Sequence, residues 1–151
     1  MAIRKIMVLN GPNLNLLGLR EPELYGPGTL EDVRLLCEAE AAELGVRIDF
    51  RQTNHEGILL DWVHEAQTGA AGIVINAAAL ARTSLSLHDA VKGITVPVVE
   101  IHITNIYQRD AWRPSSYLSK AAVGVICGFG HDVYPLGMRA LCNHLNRKKA
   151  V

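Results

Sequence analysis

Five short runs rich in β-branched residues alternate along this chain with longer amphipathic runs. The short runs are KIMVLN, VRIDFRQ, GIVIN, VPVVEIHI and AVGVICG, at residues 5–10, 46–52, 72–76, 96–103 and 122–128. Their length and composition are typical of strands, and GIVIN is apolar enough to be buried on both faces. Strands that alternate with helices form a parallel sheet with right-handed crossovers. The pattern therefore predicts an α/β fold with five parallel strands.

The runs between the strands carry helix signals. The run TLEDVRLLCEAEAAELG places Thr29 as an N-cap three residues before Asp32, and it stops at Gly45. Further helices are predicted at residues 57–69, 84–93 and 131–149, the last with an irregularity near Pro135. A chain of 151 residues without a linker or repeat fits a single domain, residues 1–151. We expect a flavodoxin-like three-layer sandwich.

Charge, hydropathy and motifs exclude several classes of protein. Fifteen basic residues balance fifteen acidic ones, so no nucleic-acid partner is expected. The apolar runs are too short to cross a bilayer or to act as a signal peptide, so no membrane partner is expected. Cys37, Cys127 and Cys142 lack metal-ligand spacing and are expected to be free thiols of a cytoplasmic protein. Phosphate-binding motifs are also missing, so we expect acid–base chemistry with no metal and no cofactor.

Polar residues cluster where the predicted strands end. The segments NGPNLN, TNHEG, NAAALARTS, HITNIYQRDAWR and GFGH follow the five strands, and four of them hold clustered Asn, Thr, His or Arg. Open α/β sheets bind ligands beyond the carboxyl ends of their strands, so a site is predicted at this edge. Within NAAALARTS, Arg82 is either a solvated surface charge or a group aimed at an anion.

The first connection, residues 10–28, is unusually long and has the character of a lid over the predicted site. It carries Arg20 and Tyr25 between glycines and prolines. Tyr25 either packs the lid down or acts as a base, which requires an ionised phenol. A nearby arginine in a closed, water-poor site stabilises a phenolate, and Arg20 is the candidate.

The fourth strand carries a predicted general acid. Glu100 and His102 are two residues apart, so their side chains share one face of the strand. A carboxylate beside a histidine fixes the ring and favours the imidazolium, which suits a proton donor near neutral pH. Arg109 and Arg113 follow, four residues apart; one of them clamps a substrate carboxylate, or both form surface ion pairs.

The motifs VLNGPNLNLLGLREPELYG, QTNHEG, DWVHEA, GIVIN, PVVEIHITNI and AVGVICGFG resemble those of type II 3-dehydroquinate dehydratases, from about residue 5 to residue 143. The resemblance implies a homododecamer, a tetramer of trimers, that works in the shikimate pathway or in quinate breakdown. It implies anti elimination of water from 3-dehydroquinate to 3-dehydroshikimate through an enolate, without a cofactor. Asn13 matches an asparagine that helps to hold an enolate-stabilising water.

The same resemblance assigns the chemical steps. Tyr25 matches the lid tyrosine that removes the proton α to the ketone. Arg20 matches the lid arginine that promotes ionisation of that tyrosine and stabilises the transition state. His102 matches the acid that protonates the departing hydroxyl. Glu100 and Arg109 match supporting groups.

Substrate contacts follow in the same way. Asn76 and Arg113 match ligands of substrate hydroxyls, which replaces the carboxylate clamp considered above for Arg113. Ile103 and Thr104 match the pair that binds the substrate carboxylate, largely through backbone N–H groups and a hydroxyl. Asp89 matches an aspartate that reaches the site of a neighbouring subunit across the trimer.

One segment departs from the family pattern. The loop that resembles N-P-x-A-x-T-H-T-S reads NAAALARTS, with Ala77 for proline, Ala81 for threonine and Arg82 for a substrate-binding histidine. Loss of the proline is expected to loosen this loop. If Arg82 points inward, it donates to a substrate hydroxyl or anion and crowds the pocket; if it points outward, a contact is lost.

The departure leaves three hypotheses. The first hypothesis, which we favour, is an active dehydratase with an altered substrate loop. The alternatives are a paralogue that acts on a related cyclic hydroxy-acid and a non-catalytic binding protein of the same fold.

Overall fold

The computed structural model describes residues 2–108, 112 and 115–150 of the chain. Its strands are β1 (Lys5–Asn10), β2 (Arg47–Gln52), β3 (Gly72–Asn76), β4 (Val98–His102) and β5 (Gly124–Cys127). Every neighbouring pair is parallel, and the order across the sheet is β2-β1-β3-β4-β5. This is the flavodoxin-like order, which confirms the predicted fold class.

Helices cover both faces of the sheet. They are α1 (Pro22–Tyr25), α2 (Leu30–Leu44), α3 (Glu56–Gly69), α4 (Leu80–Thr83), α5 (Leu85–Lys92) and α6 (Val133–Lys149). The apolar side chains of α2 and α6 pack with one face of the strands, and those of α3 and α5 pack with the other. The result is the expected three-layer arrangement, with β3 buried along its whole length.

The start of α2 follows the sequence prediction. The Thr29 hydroxyl accepts the backbone N–H of Asp32, and the Asp32 carboxylate accepts the backbone N–H of Thr29. This reciprocal capping box satisfies two N–H groups that the first turn leaves without helical partners. At the other end, Gly45 adopts a left-handed conformation with a φ of 67°, which glycine accepts without steric cost.

Two helices differ from the prediction. The last helix begins at Val133 because Gly130–Asp132 form a 3₁₀ turn. Pro135 lies in the first turn of this helix, where a backbone N–H has no helical carbonyl to bond, so the missing N–H of proline costs nothing. The predicted irregularity is therefore absent, and the helix continues unbroken to Lys149. The short helix α4 lies in a segment that we expected to be a loop. No helix in the described part of the chain has the length and apolar character needed to cross a bilayer.

The topology brings four segments to one edge of the sheet. The chain passes from β1 to β2 on one side and returns to β3 on the other, so the strand order reverses at β1. Ligands of open α/β sheets bind at such a reversal, beyond the carboxyl ends of the strands. At that edge lie the ends of β1, β3 and β4 and the long connection that follows β1.

Candidate active site

A cavity of about 100 Å³ lies at this edge of the sheet. Most of the predicted site residues line it: Asn13, Arg20, Tyr25, Asn76, Arg82, His102, Ile103 and Thr104. They come from the lid, from the end of β3, from α4 and from the end of β4. The fold therefore brings together residues that are up to about ninety positions apart in the chain.

Tyr25, the predicted base, and Arg20 both lie in the lid. The Arg20 guanidinium lies over the Tyr25 ring, 5.3 Å from the ring centroid. Tyr25 is half-buried on the one-turn helix α1, whereas Arg20 is more exposed and lies 3.8 Å from the Glu21 carboxylate. A cation over an aromatic ring is attracted to its π face, and the same charge stabilises a phenolate when the hydroxyl loses its proton.

The start of the lid is anchored to the sheet. Gly11 donates its backbone N–H to the Asn76 carbonyl over 2.8 Å. A Cβ at position 11 would lie 2.5 Å from the Ala77 carbonyl oxygen, so only glycine allows this approach. Beyond it, the Asn13 N–H donates to the Asn54 side chain over 2.9 Å. The cavity wall formed by Asn13 is thus held against the ends of β1, β2 and β3.

His102, the predicted general acid, is held by a buried carboxylate. A ring nitrogen of His102, Nε2, hydrogen-bonds to Glu100 Oε2, and both side chains are buried on one face of β4. Ser116 Oγ donates to the same oxygen over 3.0 Å, and Ser119 Oγ donates to Oε1 over 2.8 Å. Burial raises the pKa of Glu100. The hydrogen bond and charge of His102, together with the hydrogen bonds from the two serines, outweigh burial, so the pKa of Glu100 is lower than usual.

Asn76 is positioned by a network that the sequence did not reveal. The Tyr134 hydroxyl donates to Asn10 Oδ1 over 2.6 Å and accepts from Asn76 Nδ2 over 3.1 Å. All three side chains are buried. Burial raises the pKa of Tyr134 well above its usual range, so its hydroxyl remains a neutral donor. The available signal was the phenol itself, because a tyrosine among the apolar residues of a helix usually has a buried partner.

Comparisons with known proteins identify the family of this chain. Residues 4–142 match the family model described as dehydroquinase class II. The 3-dehydroquinate dehydratases of Sinorhizobium medicae (strain WSM419) and Rhizobium meliloti (strain 1021) are each 54% identical over 144 residues, which cover 95% of this chain and 97% of theirs. The crystal structure of type II dehydroquinase from Propionibacterium acnes is 36% identical, with a TM-score of 0.89, over 93% of this chain and 97% of that one.

The chain belongs to the class II dehydroquinase family. This confirms the resemblance found in the motifs. A more distant solved structure, a 3-dehydroquinate dehydratase-like protein from Bifidobacterium longum, is 29% identical over 96% of this chain and 99% of that one, with a TM-score of 0.72.

The loop that departs from the family pattern has a defined conformation. Arg82 is half-buried on α4 and lines the cavity together with His102 and Asn76. The loop enters α4 through Ala78, whose φ of 53° is left-handed. Asn76 Oδ1 accepts the Ala78 N–H over 3.3 Å. Of the two orientations that the sequence left open for Arg82, the structure has the one that faces the cavity.

Three further predicted residues lie outside this cavity. Asp89 is exposed on α5, where its carboxylate contacts His88 Nδ1 at 2.9 Å. Arg109 and Arg113 lie outside the described residues. Within the part of the chain that is described, no group of three or more His, Cys, Asp or Glu side chains is arranged to hold a metal ion.

A second, more open cavity lies on the other side of Tyr25. Its volume is about 660 Å³, and it shares Tyr25, Ile103 and Thr104 with the smaller one. The smaller cavity is the candidate active site, because His102, Arg20 and Asn76 line it and do not line the larger one. Tyr25 and the segment after β4 form the wall between the two.

Proposed function

We propose that this protein is a 3-dehydroquinate dehydratase, a hydro-lyase that removes water from 3-dehydroquinate to give 3-dehydroshikimate. The observation that carries the proposal is a phenol and an imidazole that line one cavity: Tyr25 beneath the Arg20 guanidinium, and His102 held by the buried Glu100. They suit the roles of base and acid. The names of the relatives that are 54% identical support the choice of substrate.

The proposed reaction has two proton transfers. The Tyr25 phenolate takes the proton α to the ketone, and the electrons of the broken C–H bond form an enolate. His102 then donates a proton to the leaving hydroxyl. The C–O bond breaks, water leaves, and the enolate electrons form the conjugated double bond. Glu100 keeps the ring of His102 oriented and favours its charged form before the transfer.

The remaining residues bind and orient the substrate in this proposal. Asn13 helps to hold a water that stabilises the enolate, and Asn76 binds a hydroxyl. Ile103 and Thr104 bind the carboxylate at the end of β4. Arg82 adds a permanent positive charge to the cavity, which favours an anionic substrate.

Other parts of the proposal concern residues and properties beyond the cavity. Arg113 binds a hydroxyl, Arg109 supports the site, and Asp89 serves the site of a neighbouring subunit. The chain acts as one domain in a cytoplasmic homododecamer.

The test compares purified parent protein with Tyr25→Phe, following the conjugated enone by ultraviolet absorbance. Loss of a general base lowers kcat by about 10²- to 10⁴-fold, and we expect a loss in that range. The matched control is Tyr107→Phe, because Tyr107 is exposed and does not line the cavity. A parent without turnover, indistinguishable from Tyr25→Phe, contradicts the proposed activity. Calorimetric binding of 3-dehydroquinate without turnover would indicate a binding protein instead.

A further inference from the structure

The segment from Ser116 to Ser119, which we name the serine turn, lies between the buried face of β4 and the short helix α4. We infer that Ser116 and Ser119 are positioning residues for the proposed general acid: they hold Glu100 as a carboxylate, which orients the His102 ring and stabilises the positive charge of an imidazolium. Ser116 also contacts the backbone of α4, the short helix that carries Arg82. The inference rests on the proposed function, because it gives the two serines a part in that reaction.

The contacts of the Glu100 carboxylate carry this inference. Its side chain is fully buried, with no exposed area. Oε2 accepts from His102 and from Ser116, while Oε1 accepts from Ser119. A buried carboxylate without hydrogen bonds is strongly destabilised relative to its protonated form. Among the described residues, two of the three hydrogen bonds to this carboxylate come from the serine turn.

The position of one proton depends on these hydrogen bonds. The hydrogen between His102 Nε2 and Glu100 Oε2 lies either on the ring, beside a carboxylate, or on Glu100, beside a ring that keeps only its Nδ1 hydrogen. Both hydroxyls stabilise the carboxylate, and thus the first arrangement. Without them the second arrangement gains population. The ring then meets the leaving hydroxyl as a neutral imidazole, whose remaining N–H is a far weaker acid than that of an imidazolium.

The serine turn also contacts the altered substrate loop. Ser116 Oγ lies 3.3 Å from the Ala81 carbonyl, and the Tyr117 N–H donates to that carbonyl over 2.8 Å. One hydroxyl hydrogen serves one acceptor at a time, and the charged Glu100 is the stronger acceptor at 3.0 Å. Since Ala81 precedes Arg82, the turn joins the wall that carries Arg82 to the strand that carries His102.

A substitution at Ser119 distinguishes a positioning role from a purely structural one better than a substitution at Ser116 does. Ser116 Oγ accepts the Ser119 N–H over 3.2 Å, so a change at Ser116 also weakens the 3₁₀ turn Leu118–Lys120. The Ser119 hydroxyl donates to Glu100. The test therefore uses Ser119→Ala, with Ser119→Thr to retain a hydroxyl and Ser115→Ala as a control that removes an exposed hydroxyl from a neighbouring position.

The readout is titration of the Glu100 carboxyl carbon by ¹³C NMR, together with kcat and KM. Loss of one hydrogen bond to a charged group moves a midpoint by about one pH unit or more. For Ser119→Ala we therefore expect the Glu100 midpoint to rise by about one unit. We also expect kcat to fall by about tenfold, short of the loss from removing the acid itself, with KM within about twofold. Ser119→Thr should partly restore the Glu100 midpoint and kcat to their values in the parent.

Two results overturn the inference. One is a Glu100 midpoint in Ser119→Ala equal to that of Ser115→Ala. The other is a Glu100 midpoint in the parent at or above the ordinary glutamate value, a measurement that needs no variant to fold. If the parent does not turn over 3-dehydroquinate, the proposed function fails, while the titration still decides whether the serines control the Glu100–His102 pair.

Discussion

At the level of single residues, the Tyr134 hydroxyl joins two asparagines at the ends of neighbouring strands. It is fully buried, and both Asn10 and Asn76 depend on it for a hydrogen bond. A buried polar group that loses its partner costs about 1–3 kcal/mol. The sequence predicted a role for Asn76 but no role for the residues that orient it.

We expect Tyr134→Phe to lower the free energy of unfolding by about 1–3 kcal/mol in urea titrations, because two buried amides lose a partner. Asn76 is then less well oriented, so KM for 3-dehydroquinate should rise. Tyr107→Phe, at an exposed position, is the control and should match the parent in both measurements. Unchanged stability and KM in Tyr134→Phe would show that the asparagines find other partners.

Arg82 stands where the motif that this chain resembles has a histidine. It lines the cavity, where a histidine would both donate and accept a hydrogen bond and an arginine only donates. If Arg82 is a poorer ligand than that histidine, Arg82→His should lower KM for 3-dehydroquinate in steady-state kinetics while kcat changes less. An unchanged or raised KM would mean that the guanidinium binds substrate at least as well.

At the level of elements, β2 and α3 are joined by one arginine at the edge of the sheet. Arg51 donates to both oxygens of Asp49 over 2.9 and 2.8 Å, and it reaches Glu65 on α3 over 2.8 Å. Its guanidinium also lies 5.4 Å from the centroid of the Trp62 ring. Hydrogen bonds from Arg51 lower the pKa of Asp49, with the charges of Arg51 and Lys5 adding to the effect.

This contact predicts an acid-dependent contribution to stability. A carboxyl whose pKa is lowered by folding stabilises the protein above its unfolded pKa of about 3.9. That contribution disappears as the pH falls through the lower, folded pKa. We expect Asp49→Asn to be less stable than the parent at pH 7, and the difference in melting temperature to shrink below about pH 4. Thermal unfolding from pH 3 to pH 7 checks this, with Asp61→Asn, at an exposed position on α3, as the control. A constant difference would contradict it.

The elements themselves were largely predictable. The Thr29 capping box and the Gly45 stop are local signals, and both appear in the structure as expected. The helix α4 was missed because AAALART has neither a cap nor an amphipathic pattern. It is stabilised by contacts with the serine turn, a segment thirty-five residues away along the chain.

At the level of the whole molecule, Asp89 bears on the proposed assembly of subunits. The family pattern gives it a role in a site, yet it is exposed on α5 and does not line the cavity of its own chain. A residue placed in this way serves a neighbouring subunit if it acts in catalysis. The proposed trimers thus supply a side chain that the isolated subunit lacks.

We expect light scattering to give a mass of about twelve times the 16.5 kDa of one chain. Asp89→Asn should weaken catalysis, whereas Glu43→Gln, on the exposed side of α2, should not. A mass that matches a monomer or a dimer, or full activity in Asp89→Asn, would contradict an assembly in which the subunits share their sites.

Local patterns in this chain were enough to predict its strands and most of its helices, because periodicity along a backbone determines which face of an element is apolar. They were also enough to select Glu100 and His102 as a pair, since alternate residues of a strand share a face. Only the tertiary structure decided which hydroxyls surround that pair, that Tyr134 orients Asn76, and that Arg82 faces the cavity. These contacts join residues 16 to 58 positions apart, and the Tyr134 contact with Asn10 spans 124. No local pattern encodes such separations, because packing of the helices against the sheet brings the partners together.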